Sequence, residues 1–552
     1  MTENHRQAVL WAGLSVFLVV VALLTRPLLP VGETRYLSVA WEMWSSGDFL
    51  VPHLNGEAYS HKPPLLFWLM HAGWAVFGVG EWWPRLVSPA FALASLFVAA
   101  RLGRLLWPQA HAGHAAPLVL LASTFWAVTT TLTMFDMMLA FATVTILYGV
   151  VRAWRVGHPL DWALVAFGIA VGILTKGPVM LVHVLPAALL APVWGPCLAL
   201  RSDDPKPGAA RRSAWAWSLR FGAATGAGVA LALVWAVPAG IAGGEAYFDA
   251  IFWGQSAGRM LDSFAHERSW WWYVAGLVPL LLPLSLWPTA WRSLAHAPRA
   301  MGDGGFRFCL CWFVPTLVGL SLISGKQFHY LLPAMPALAL ALSFLLEARA
   351  ARLEDGAPGN PRRDLVVPGV IVAVVGIAVL FALPQPMLTE HLRTTLPAAT
   401  VWGLVIAAAG IAVAAVPTRT VAGRLAALAA LSVVTAATAH AVAMPVLRSA
   451  FDLEPLALRL ETWESAGRPL AHYGKYHGQY HFLGRLRRPL AIIGDQEVAQ
   501  WVADNPNGLI ISYHDRTAPE AAPIASQIYR RKIIGVWDAA AVAADPSIVQ
   551  RP

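Results

Sequence analysis

The sequence predicts a polytopic α-helical membrane protein with a small α/β region at its C-terminal end. Three observations predict it. The 552 residues are 57% hydrophobic and only 13% charged, against roughly 25% charged residues in an ordinary soluble domain. Apolar runs recur that are long enough to cross a ~30 Å hydrocarbon core, which takes about 20 helical residues. After residue 447 these runs stop and short β-like segments begin.

The first apolar run, around 9–29, has no Ala-x-Ala cleavage site, so it reads as a retained helix and not a signal peptide. Twelve further spans are predicted at about 86–106, 115–134, 138–153, 162–175, 178–197, 221–241, 273–291, 309–324, 330–346, 366–384, 398–416 and 424–447. Alternate loops collect the positive residues: Arg101 and Arg104, Arg152 and Arg155, the group from Arg201 to Arg220, the group from Arg292 to Arg307, the group from Arg349 to Arg363, and Arg419 with Arg424. Cytoplasmic loops carry such an excess. That rule places the N-terminus inside and the residues after Leu447 outside.

The stretch 63–79 is apolar but short and rich in Trp and Gly. Counting it as a crossing would move Arg101 and Arg104 outside. It therefore reads as a helix lying along the outer interface, with a true second span as the alternative. The predicted division is a membrane domain over 1–447, with a first outer loop at about 30–85, and an outer α/β domain over 448–552. In that tail, runs at 469–473, 489–493, 508–513 and 532–537 surround an amphipathic helix near 495–503.

Cys197, Cys309 and Cys311 fall at predicted cytoplasmic ends or in spans and imply no disulfide framework. The net charge of +9 is a topology signal, and nothing points to nucleic acid. No transporter-type internal repeat is visible.

The chemistry concentrates on the predicted outer face. Glu33 opens the first outer loop, and Asp136 sits alone between two apolar runs in a tight second loop. An acid at that depth is costly and marks function, although Asp136 could instead cap the following helix. Only six lysines occur, and three of them, Lys62, Lys176 and Lys326, lie on this face with Arg35, Arg259 and Arg268. Several fixed cations near an outer leaflet suit a lipid phosphate; separate pairing with carboxylates or headgroups is the alternative. His61 and Lys62 precede Pro63-Pro64, which fixes the backbone and aims both side chains. His266 precedes the aromatic run Trp270 to Tyr273, an interfacial belt. Tyr36, Tyr59 and Tyr330 offer hydroxyls or stacking faces to a sugar, or serve as interface anchors.

The order Glu33-Thr34-Arg35-Tyr36, Trp41-Glu42-Met43, Gly47-Asp48, Leu54-Asn55-Gly56-Glu57, Tyr59 and Lys62-Pro63-Pro64 resembles the lipid-dependent glycosyltransferases of the GT-C fold. Within them it is similar to the bacterial aminoarabinose transferase and protein mannosyltransferase-like group. The resemblance continues through Asp136, Thr175-Lys176-Gly177-Pro178, the His266/Arg268 segment and Lys326 to Tyr330. It implies a multi-pass protein of the bacterial inner membrane, a monomer, whose site faces the periplasm. The implied reaction moves a sugar from a polyprenyl (undecaprenyl) phosphate donor to an envelope acceptor, with lipid A first among acceptors.

The implied roles follow. Glu33 and Asp136 are the catalytic candidates. Lys62, Arg259, Arg268 and Lys326 would hold the donor phosphate. Arg35, Tyr36, Tyr59, His61, Lys176, His266 and Tyr330 would bind substrate. The resemblance identifies no cofactor, and a divalent cation held by His61 with Glu33 or Asp136 is an open alternative. Two departures stand out: Gly32 replaces the family's Asp, and Ser60-His61 replaces Phe-Glu before Lys62-Pro63. The alternatives are a protein O-glycosyltransferase of the same fold, for which Tyr473, Tyr476, His477, Tyr480 and His481 would be docking contacts unless they belong to the tail domain's own core, and a lipid or sugar transporter.

Overall fold

The computed structural model describes residues 3–108, 112–199, 214–258, 267–354, 364–382, 396–416, 418, 420–443, 448, 451–515, 522–530 and 532–550. Among these, eight helices are long and apolar enough to cross a membrane: His5–Thr25, Trp82–Leu106, Asp136–Arg155, Pro159–Lys176, Ala214–Gly243, Gly304–Leu322, Phe328–Ala351 and Val421–Ala441. Pro178–Leu189 and Ala191–Leu198 meet at 51° and make a ninth if counted as one bent span. The protein is a multi-pass membrane protein.

The other predicted spans are helical but shorter or broken. Near 115–134 the chain forms Ala112–Leu121 and Thr124–Thr130. Near 273–291 it forms Trp272–Leu280, a 3-10 turn Leu284–Leu286 and Pro288–Leu294. Proline removes a backbone donor and clashes with the preceding turn, and Pro279, Pro283 and Pro288 all fall in the second stretch. The two breaks satisfy each other, because Thr124 N donates to Leu282 O at 2.7 Å and Ser123 Oγ to Leu280 O at 2.6 Å. Non-helical backbone at membrane depth is tolerable when protein meets its hydrogen bonds in this way. Val366–Ala382 and Leu396–Ala415 pack backbone to backbone. A Cβ on Gly369 would stand 2.5 Å from Gly410 O, so this contact needs the small residues.

The first loop folds as Gly32–Ser46, a short antiparallel ribbon of β1 (His53–Leu54) and β2 (Glu57–Ala58), and Leu65–Phe77. The last helix has 13 residues, about 20 Å at 1.5 Å per residue, too short to cross. It packs on Gly32–Ser46 and on Trp82–Leu106, which suits the interfacial placement.

The C-terminal region carries a five-stranded sheet of β3 (Leu470–Tyr473), β4 (Ala491–Ile493), β5 (Leu509–His514), β6 (Ala525–Tyr529) and β7 (Lys532–Asp538), in the order β4-β3-β5-β7-β6. Strand β3 is parallel to β4 and β5, whereas β7 is antiparallel to β5 and β6. The helix predicted near 495–503 is Val498–Asp504. The sequence reading of this region did not include strand β6 or the helices Glu454–Ser465, His481–Gly484, Ala539–Ala544 and Ser547–Gln550. Edge strand β6 interleaves Ser526 and Gln527 with apolar residues, and helix Glu454–Ser465 is polar on average.

This sheet region shares a core with the first loop. Phe482 is buried among Tyr36, Phe67, Trp74 and Phe135, and its ring stacks on Trp74 with centroids 5.6 Å apart. Polar contacts reinforce the seam: Ser38 Oγ donates to Gly478 O, Phe482 N donates to Ser38 Oγ, and Trp41 Nε1 donates to Leu486 O. Asn55 exchanges two bonds with the Leu490 backbone, at 2.9 and 2.8 Å. Removing a buried phenyl ring costs about 3–5 kcal/mol. Phe482→Ala should therefore undock the C-terminal region, seen as faster protease cleavage after residue 448 in purified protein; wild-type cleavage rates would contradict the shared core.

Candidate active site

Glu33 lies in the first turn of Gly32–Ser46 and is 2% exposed. Its carboxylate pairs in fork geometry with Arg26 at the end of the first span: Nη2 reaches Oε1 at 2.9 Å and Nη1 reaches Oε2. Leu29 N donates to Oε2 at 2.8 Å and Thr133 N to Oε1 at 2.7 Å. Four donors therefore fill its two oxygens. Burial raises the carboxyl, but Arg26 and the two backbone N–H groups outweigh it and hold Glu33 below the ordinary glutamate range. Arg26 Nη2 also donates to Thr131 O at 2.8 Å, and Arg85 Nη2 donates to Ala22 O and Arg26 O. The assembly ties the first loop to the turn at 131–133, immediately before Asp136. A carboxylate so saturated is disposed to position the turn and poorly disposed to take up a proton.

Asp136 is the first residue of Asp136–Arg155, and the cap position is Phe135, which makes no side-chain capping bond. The Asp136 carboxylate is 4% exposed and meets Lys176 Nζ at 2.6 Å. Lys176 ends Pro159–Lys176, the neighbouring antiparallel helix. Gly177 stops that helix with φ at +78°, a conformation that favours glycine. The Lys176 ammonium lies 4.7 Å from the Tyr330 ring centre, and His329 packs on Tyr330 edge to face. Lys62 Nζ stands 5.9 Å from the Phe135 ring centre, and Tyr36 packs edge-on against the same ring at 4.9 Å. The charges of Lys176, His329 and Lys62 all act on Asp136. Burial pushes the Tyr36 phenol up, against the opposing charge of Arg35, so Tyr36 stays a neutral hydroxyl. The cluster thus has a net positive field around a single buried carboxylate.

Arg268 and Lys326 are brought together on paired backbone, where Glu267 bridges Gly325 and Arg268 N donates to Ser324 O. Lys326 is 4% exposed and donates to Arg268 O at 2.8 Å and to Ile323 O at 2.5 Å. It therefore braces the segment, while the Arg268 guanidinium lies over Trp272 at 5.3 Å. The braced segment runs directly into His329 and Tyr330. Arg259 and His266 lie outside the described residues.

Arg35, Tyr59 and His61 meet in a cleft of about 230 Å³ between the first loop and the stretch Lys475–His477 of the C-terminal region. The Tyr59 and His61 rings contact edge to face at 5.3 Å. The predicted tail contacts divide. Tyr476 and His477 line the cleft, whereas Tyr480 and His481 are buried in the tail. The Tyr480 hydroxyl bonds Tyr513 at 2.6 Å and His481 Nδ1 meets the Tyr476 hydroxyl at 2.7 Å. Tyr473 bonds Asp495.

The sequence reading missed Arg26, Arg85, His329 and Lys475. Arg26 carried a legible signal, a cation on the outer side of the first span seven residues before an acid. Arg85, His329 and Lys475 become significant only through tertiary contact. No group of three or more His, Cys, Asp or Glu side chains among the described residues could hold a metal ion. Glu33 and Asp136 are engaged by Arg26 and Lys176 instead.

Residues 61–205 match the family described as dolichyl-phosphate-mannose-protein mannosyltransferase. An undecaprenyl phosphate-alpha-4-amino-4-deoxy-L-arabinose arabinosyl transferase of Pseudomonas savastanoi pv. phaseolicola is 29% identical over 71% of this chain and 73% of its own length. A protein of the same name from Pseudomonas aeruginosa is 28% identical over 57% of this chain and spans 55% of itself. The crystal structure of ArnT from Cupriavidus metallidurans bound to undecaprenyl phosphate superposes with a TM-score of 0.70 at 20% identity, covering 97% of this chain and 98% of that one. The apo form gives 0.71 with full coverage of both. The chain has the GT-C membrane fold and is similar to the aminoarabinose transferase and protein mannosyltransferase-like group.

The Arg26–Glu33 pair generates a stability prediction. Its folded-state carboxyl is depressed, so its contribution is complete above about pH 4.5, the ordinary value, and is lost as pH falls through the lower folded value. Breaking a buried pair costs about 3–5 kcal/mol. Glu33→Gln should lower the thermal midpoint at neutral pH and flatten its fall below pH 4.5. An unchanged midpoint at neutral pH would contradict the latch.

Proposed function

We propose that this chain transfers an aminopentose from undecaprenyl phosphate to a phosphate of lipid A at the periplasmic face of the bacterial inner membrane. The observation that carries the reading is the buried Asp136–Lys176 pair, 2.6 Å long, with Lys62 and Tyr330 around it. This site stands in a fold whose curated relatives are named as arabinosyl transferases using an undecaprenyl-phosphate-linked sugar.

In the transfer, an acceptor phosphate oxygen bonds to the anomeric carbon as the bond from that carbon to the donor phosphate oxygen breaks. The electron pair leaves with undecaprenyl phosphate, where negative charge grows. Lys62 and Arg268 are assigned to that charge, the preorganised electrostatic help that commonly dominates catalysis. Lys326 acts behind them by holding the Arg268 backbone. An ionised phosphate acceptor has no proton to lose, so the reaction needs no general base. This agrees with a Glu33 carboxylate fully occupied by Arg26, Leu29 and Thr133, and with Gly32 at the position where the family resemblance expects an acid. A Cβ at Gly32 would meet nothing within 4 Å, so packing does not exclude the acid; the chemistry proceeds without it. Asp136 takes the role of sugar anchor, its free lone pairs accepting from the donor's amine or hydroxyls while Lys176 fixes its orientation.

The reading is tested in cells whose own aminoarabinose transferase has been deleted. Mass spectrometry of their lipid A should show an aminopentose on phosphate when this chain is supplied. Asp136→Asn and Lys62→Ala should each reduce that product at least ~100-fold, the scale of losing one transition-state contact, with protein levels in the membrane kept. Unmodified lipid A with another glycan altered would move the acceptor elsewhere, and normal product from both variants would remove this site from the chemistry.

A further inference from the structure

The cleft between the first loop and Lys475–His477 is not used by the transfer step, yet it opens beside it. Arg35 lines the cleft, and its guanidinium lies 5.5 Å from the ring of Tyr36, which packs on Phe135 next to Asp136. The walls are unlike those a polyprenyl tail would need. Arg35, Tyr59, His61, Lys475 and His477 line it with Glu57 as its one acid, and Leu54 and Ala58 are its aliphatic side chains. At about 230 Å³ it is smaller than the roughly 300–1,000 Å³ of sites that enclose a drug-sized ligand. It has room for a charged headgroup but not for acyl chains.

The positive charges come from two separate parts of the chain and are held by the seam. Ser38 bonds Gly478 O at 2.6 Å, immediately after His477, and Asn55 bonds Leu490 just before the cleft-lining Glu57. Gly478 has φ at +72°, and a Cβ there would stand 2.4 Å from Leu54 Cδ1; close approach at this turn sets the cleft width. Arg35 and Lys475 together push the His477 imidazole down, after burial, so the three groups feel one another across the cleft. The Arg35 Nε is buried and has no hydrogen-bond partner among the described residues. Repelling cations with an unmet donor are the arrangement that an anion relieves.

We propose that this cleft binds a second, non-reacting phosphate on the acceptor headgroup, so that the enzyme selects acceptors phosphorylated at two positions. The proposal rests on the transfer reading above. The first loop supplies Arg35 and His61, the C-terminal region supplies Lys475 and His477, and the seam makes acceptor recognition depend on both. Binding energy gathered there, away from the reacting carbon, positions the other phosphate for attack.

The experiment uses purified full-length protein in nanodiscs with an undecaprenyl-phosphate-linked aminopentose and two acceptors, bisphosphorylated lipid A and lipid A from which the non-reacting phosphate has been removed. For wild type, KM should be about tenfold lower for the bisphosphorylated acceptor, about 1.4 kcal/mol. Lys475→Glu, an exposed position, should raise KM for that acceptor about tenfold, leave kcat and the donor KM near wild type, and leave the monophosphorylated acceptor unaffected. His477→Ala gives an independent variant with the same expected direction. Equal KM shifts for both acceptors, or none, would overturn the proposal while wild-type transfer keeps the functional reading intact. A Lys475→Glu effect that follows the anionic phospholipid content of the nanodisc, whatever the acceptor, would assign the cleft to membrane headgroups and also overturn it. Absence of transfer by wild type with either acceptor would instead defeat the functional reading on which the cleft depends.

Discussion

The Arg26–Glu33 pair is the constraint on which the site depends. A lone arginine or glutamate at the edge of the hydrocarbon core is expensive. Here each satisfies the other, and the surplus donors and acceptors are used to hold neighbouring chain. Glu33 takes Thr133 N, Arg26 gives to Thr131 O, and Arg85 gives to Arg26 O. Segments around residues 26–33, 85 and 131–133, far apart in sequence, are thereby fixed to one another just before Asp136. Deleting one partner would leave an uncompensated charge and release the turn, so site geometry and local stability are linked through the same contact.

A second level of order is built on that latch. Asp136 begins one helix and Lys176 ends the next, so an antiparallel pair of spans delivers both members of the ion pair to one end. The 324–330 segment then brings Tyr330 over Lys176 and, through Lys326, fixes the backbone of Arg268. Cations therefore occupy two sorts of position. Lys326 is braced by carbonyl oxygens and serves the scaffold, while Lys176 pairs with Asp136, Lys62 stands by the Phe135 ring and Arg268 lies over Trp272. A charge census alone does not separate these two classes. Hydrogen-bond partners do.

Much of this was legible in the sequence. Hydropathy gave a membrane protein, and an unusual density of ionisable groups after the first span drew attention to Glu33, Lys62 and Asp136. The scarcity of lysine made Lys176 and Lys326 conspicuous. Other features were not legible for physical reasons. Glu33 and Asp136 look alike as isolated acids, and only their partners distinguish a saturated latch from a carboxylate with one lysine neighbour. The broken spans near 121–124 and 279–288 read as continuous because each lies within a long, largely apolar stretch. Strand β6 was hidden by its polar edge positions, and Lys475 lies 440 residues from Arg35, with no local pattern to join them. The seam formed by Ser38, Asn55, Trp74 and Phe482 explains why a sheet region at the far end of the chain stands beside the first loop.

The most direct test of the account is reconstitution of the purified chain with a synthetic undecaprenyl-phosphate-linked aminopentose and lipid A as the only acceptor, followed by mass spectrometry of both lipids. The account predicts an aminopentose on an acceptor phosphate with stoichiometric release of undecaprenyl phosphate, and a rate that stays level across neutral pH because the ionised acceptor needs no deprotonation. Transfer to a hydroxyl in place of a phosphate, with a rate that falls as a carboxyl is protonated, would contradict it by requiring the general base that the engaged Glu33 does not supply.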